Sequence, residues 1–77
     1  MPIEYRKRSA VMQGVCQLEE VEELQGWMLE NPRASLNLGQ CEHLHTAIVQ
    51  LILASEFRIS TPPERPLLKM ALGLPTP

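Results

Sequence analysis

Polar and apolar positions alternate at the start of the chain. In "PIEYRKRS", Ile3 and Tyr5 stand against Glu4 and Arg6, the period of a strand with one face in water. A second apolar segment, "AVMQGVC", is interrupted at Gly14 and follows closely enough to close a hairpin near Arg8-Ser9. The period then lengthens. In "QLEEVEELQGWMLENP", Leu18, Val21, Leu24 and Met28 recur at helical spacing, with Glu19, Glu20, Glu22 and Glu23 on the wet side. Those glutamates occupy early turns, where the helix dipole favours negative charge, and Asn31-Pro32 ends the helix. Alternation returns in "ASLNLGQ", a strand with Leu36 and Leu38 on one face, expected to end at Gly39.

"TAIVQLILAS" is apolar almost all round, which suits a helix covered on several sides or one keeping an apolar strip for a partner. "EFRIS", with Phe57 and Ile59 in alternation, is a short last strand. "TPPERPLLKMALG" closes as a helix with Pro66 in its first turn and Gly73 as its C-terminal stop. Helices are therefore predicted near 17–30, 46–55 and 64–73. The order ββαβαβα predicts an α/β (α+β) fold: a four-stranded mixed sheet with parallel crossovers and helices packed on it. Leu36, Leu38, Val49, Ile52 and Leu53 are the expected core. A chain of 77 residues has room for one core, so 1–77 is a single domain, with a strand region over 1–10 and a loose tail at 74–77.

Composition narrows the function classes. At 44% hydrophobic and 21% charged, the chain is ordinary globular protein. A net charge of -2 argues against nucleic acid as a partner, and the run Arg6-Lys7-Arg8 is too short to change that. All nine acidic residues are glutamates, so no Ser-His-Asp set can form. No glycine loop for phosphates is present, and the candidate bases crowd one short stretch, so no enzyme and no cofactor is expected. Cys16 and Cys41 do not make a disulfide framework, and no signal-peptide pattern opens the chain; a cytoplasmic location is the simplest expectation. The apolar run from Ala47 to Ala54 falls far short of the roughly 20 residues that cross a bilayer, so no direct membrane insertion is expected.

The candidate chemistry lies in "CEHLHTAIVQ". Thr46 is a good N-cap, its oxygen able to accept a free N–H of the first turn. It could equally face a partner, and a phosphate there would meet free N–H donors and a favourable dipole. Cys41, His43 and His45 alternate, so in an extended segment their side chains point the same way, a zinc-like donor set. Their spacing matches no familiar zinc motif and no second group completes a tetrahedron, which leaves Cys41 more simply a small buried hydrophobe beside two surface histidines.

From about Val11 to Leu74 the chain resembles a STAS domain, the module of anti-sigma-factor antagonists and sulphate transporters. "VMQGVCQLEEVEELQGWM" is similar to the family's strand, glycine and helix, with Gly14 in the glycine place. "LNLGQCEHLHTAIVQLIL" is similar to its "L-D-L-S" strand followed by "I-D-[ST]-[SA]-G-L", with Thr46 at the hydroxyl position. Asn37 and His45 stand where the family usually has aspartates, and Ile48 where it usually has glycine. The chain is also similar to compact members such as the small STAS subunit of bacterial phospholipid-trafficking ABC transporters. The resemblance implies a STAS-like fold and regulatory protein–protein recognition. The surface would be the loop from Gly39 to His45 and the helix start, with Thr46, His45, His43, Asn37, Gly39, Ile48 and Val49 as binding or phosphorylation residues. The implied partner is an anti-sigma-type switch kinase or a transporter nucleotide-binding subunit, and a homodimer stays open. The alternative from another class is a metal-binding domain using Cys41, His43 and His45.

Overall fold

A hairpin opens the chain. In the computed structural model, which describes residues 3–74, β1 (Ile3–Tyr5) and β2 (Ser9–Cys16) pair antiparallel with Tyr5 opposite Ala10. The Arg6 N–H donates to the Ser9 carbonyl at 2.7 Å across the turn. A 3-10 turn at Leu18–Glu20 leads into α1 (Val21–Glu30), and the Glu20 carboxylate accepts the Gln17 N–H at 3.2 Å. The Asn31 amide then donates to the Trp27 carbonyl at 2.9 Å and Pro32 stops the helix. β3 (Ser35–Leu44), α2 (Thr46–Ser55), β4 (Arg58–Thr61) and α3 (Pro66–Ala71) follow.

The strands lie in the order β1-β2-β3-β4, with β2, β3 and β4 mutually parallel. This is the four-stranded mixed sheet with three helices that the alternation of periods predicts. Both crossovers step the same way along the sheet, and the right-handed rule puts α1 and α2 on one face. Leu68 and Leu72 of α3 join the same core, where Met12, Leu24, Leu36, Leu38 and Ile48 are fully buried. The other face carries rows such as Ser9–Ser35–Arg58 and Glu4–Val11–Asn37. Only Val11 is closed off there; the face is polar and open to water.

β3 departs from the expected strand. It has ten residues against eight in β2, and the pairing shifts by one residue twice, between Asn37 and Gln40 and between Cys41 and His43. These are β-bulges in β3, each inserting a residue and turning the following side chains to the other face. Its buried positions are Leu36, Leu38, Cys41 and Leu44, a spacing that no simple alternation generates. The strand expected to end at Gly39 therefore runs on to Leu44, and the stretch expected as a loop is strand. Gly14 sits at one of these shifts with φ +62, the left-handed region that suits glycine.

The expected core is corrected at two positions. Leu36, Leu38 and Ile52 are buried, but Val49 is half-buried and Leu53 is 42% exposed. The buried residues of α2 are Ile48 and Ile52; a helix apolar on nearly every side does not announce which side turns inward. α3 begins with Pro66 in its first turn and ends as expected at Gly73, φ +71. There the Leu74 N–H donates to the Lys69 carbonyl at 2.8 Å and the Gly73 N–H to that of Met70 at 3.1 Å, a Schellman stop. The expected loose tail lies outside the described residues from 75 onward. No described helix is long and apolar enough to cross a membrane.

Candidate functional site

The ends of β2 and β3 meet the start of α2, where parallel strands of an α/β sheet commonly present their sites. The His45 N–H donates to the Cys16 carbonyl at 2.9 Å, tying the helix entry to the end of β2. His45 is also the N-cap: its Nδ1 accepts the Ala47 N–H at 3.0 Å, and its carbonyl accepts from Ile48 and Val49 at 2.9 and 3.2 Å. This bond requires Nδ1 to carry no proton, so the ring proton sits on Nε2. Capping, expected of Thr46, belongs to its neighbour. Thr46 is the first helical residue, exposed, with its hydroxyl outside the cap.

Beside it lies an open cleft of about 350 Å³ lined by Val15, Cys16, Gln17, Leu18, Glu19, His43 and His45. Val15 and Leu18 are 48% and 57% exposed, an apolar pair at the rim. Leu18 is expected on the core stripe of the first helix but falls in the 3-10 turn that precedes it, whose tighter winding takes it off that stripe. Val15 faces outward in the plain alternation of β2, whose Ala10, Met12 and Cys16 face the core, and it lies opposite His43. That parity is the signal for Val15; Leu18 carries none of its own.

The other expected site residues divide. His43 is exposed and His45 and Val49 are half-buried at this end. Ile48 is 0% exposed and belongs to the core, so it is no contact residue. Asn37 and Gly39 lie well down β3, where the Asn37 Oδ1 accepts the Gly39 N–H at 3.0 Å. A Cβ at Gly39 would stand 3.1 Å from the Thr61 Cγ2. These two residues shape the first bulge rather than the helix entry.

Cys41, His43 and His45 do not converge. Cys41 is 3% exposed and faces the core, whereas His43 faces solvent, because the second bulge falls between them. The Cys41 thiol donates to the His43 carbonyl at 3.6 Å and that of Cys16 to the Gln13 carbonyl at 3.9 Å. The two sulfurs are neighbours. Their close contact, with burial, pushes the Cys16 thiol well above its ordinary pKa, while the same contact lowers that of Cys41. Among the described residues no three His, Cys, Asp or Glu side chains are grouped to hold an ion.

The site gathers an uncommitted hydroxyl, an imidazole and two exposed aliphatic side chains around a helix start. No family model, no curated protein and no solved structure matches the chain.

Proposed function

We propose that this domain is a regulatory protein–protein interaction module resembling the STAS anti-sigma-factor antagonists, which binds its partner through the helix start around Thr46. The observation that carries this reading is the freedom of Thr46. It stands exposed at the first position of α2 while His45 does the capping, so its hydroxyl has no structural task. The partner surface comprises Thr46, His43, His45 and Val49, extended by Val15 and Leu18. Exposed aliphatic side chains around a polar centre are what a modest protein interface uses. The glycine at position 14 and the hydroxyl opening an apolar helix are also features on which the resemblance rests.

Contact is favoured over phosphorylation as the role of Thr46. The free N–H groups of the first turn suit a phosphate. Asn37 and His45, however, replace the family's aspartates and change the charge that a switch kinase of that family meets. The nucleotide-binding subunit of a phospholipid transporter is the alternative partner.

The test compares Thr46→Ser and Thr46→Glu by melting temperature and by pull-down from the native cell, with the retained protein identified. Both variants should fold, because an acidic side chain is tolerated at a helix N-terminus. Thr46→Ser should bind as wild type, and Thr46→Glu should lose at least about tenfold because an unmatched charge must be desolvated. A folded Thr46→Glu variant with undiminished binding removes Thr46 from the interface. Capture of a kinase or of a transporter subunit separates the two partners.

A further inference from the structure

The fold sorts charge to its two ends. Ser9, Ser35 and Arg58 are in register across three strands, and the Ser35 N–H donates to the Arg8 carbonyl at 3.1 Å. This brings the turn Arg6-Lys7-Arg8, the loop residue Arg33 and the strand residue Arg58 to the end opposite Thr46. Lys7, Arg8 and Arg33 line one open cleft there with Glu30, Asn31, Pro32 and Ala34. All five cations are exposed, and of these five only Arg6 is in a salt bridge among the described residues, to Glu4 at 2.6 Å. Against them stand Glu4, Glu30 and Glu56, so this end is net positive in a chain that is net negative. Glu19, Glu20, Glu22 and Glu42 lie towards the Thr46 end. Leu29, 76% exposed, lies in the last turn of α1 at this end and lines the adjoining cleft with Pro32 and Phe57.

We propose that this basic end docks on the anionic surface of a lipid bilayer. The molecule is 33 Å along its longest axis, and β3 alone reaches about 25 Å from one end to the other. At 0.1 M salt the Debye length is about 10 Å, so an extended negative plane attracts the near end while the acidic end lies screened beyond its reach. A net-negative protein can therefore bind a negative surface, in one orientation. The cations are exposed and come from three separate segments, without the enclosed, convergent geometry that holds a small phosphate ligand. An exposed leucine at the basic end supplies the apolar contact that a bilayer interface accepts and an acidic protein surface does not require. The Thr46 end then faces away from the bilayer, open to its partner.

The test is co-sedimentation of the full chain with phosphatidylcholine vesicles, with and without phosphatidylglycerol, at about 0.1 M salt, where the acidic end is screened. Binding should require phosphatidylglycerol and disappear in high salt. Each of Arg8→Gln and Arg33→Gln should weaken partition about fivefold, and together more, the effect of one cation near an anionic surface. Lys69→Gln, on α3, should change nothing, and circular dichroism should show each variant folded. Absence of binding to anionic vesicles overturns the proposal. So does binding that Arg8→Gln and Arg33→Gln leave intact, or binding to polyglutamate but not to vesicles, which marks an acidic protein as the partner.

Discussion

Tyr5 packs against Trp27, whose ring also meets Phe57, with ring centroids 5.6 and 6.0 Å apart. The Tyr5 hydroxyl is shut off from water with no hydrogen-bond partner. Burial, and then the nearby carboxylates of Glu23 and Glu20, push its pKa from 10.0 to about 12. The folded state thus holds the neutral phenol longer than the unfolded chain does. Its stability is intact below about pH 10 and falls as pH rises towards 12, where the unfolded state has already released the proton. Tyr5→Phe removes an unpaired polar group and this titration together. The variant should melt no lower than wild type at pH 7, and its melting temperature should drop less between pH 9 and 12. A parallel loss in both proteins would assign the alkaline sensitivity to other groups. At this scale the sequence is read well where burial follows alternation, as at Leu36 and Leu38, and poorly where a side chain's neighbours come from distant segments, as at Tyr5, Trp27 and Phe57.

Among the elements, α2 depends most on a single residue. Threonine outranks histidine as a cap by general preference, and the sequence alone therefore puts the cap one residue too late. The tertiary bond from the His45 N–H to the Cys16 carbonyl fixes the non-helical conformation of His45 and with it the first helical residue. His45→Ala should cost about 1 kcal/mol, the usual loss for an absent cap, and His45→Asn should restore most of it. Thr46→Ala should cost much less. Thermal unfolding of the three variants decides this, since the opposite ranking would return the cap to Thr46. Strand and helix order were legible because periods of two and of 3.6 are hard to confuse over eight or more residues. The bulges of β3 were not, because an inserted residue erases the period that would reveal the strand. That loss hid the end of β3 and the separation of Cys41 from His43.

For the molecule as a whole, one core joins the sheet to three helices, and both thiols lie inside it. No second core exists among the described residues to melt independently, so unfolding should be a single cooperative transition. Cys16 and Cys41, 0% and 3% exposed, should resist thiol reagents in the native protein and become reactive together. In a urea titration, the midpoint of cysteine labelling should coincide with that of Trp27 fluorescence. Early labelling of either cysteine would show that the helix entry opens before the core. The four-strand layout could be inferred in advance from crossover handedness and chain length. The division of charge between the two ends could not, since Arg33 and Arg58 join Arg6-Lys7-Arg8 only through sheet register.

The two extra residues of β3 make that strand a mechanical coupling of fixed setting. Deleting one of them would rotate everything on one side of the deletion to the opposite face, exchanging buried Cys41 for exposed Gln40 or its like. The helix entry cannot be re-aimed in small increments by such changes. Its bearing is quantised by the pleat, and every intermediate setting places a polar side chain in the core. Variation of this surface must therefore come from exchanging side chains around Thr46, with the insertions and deletions that diversify ordinary loops closed to this one.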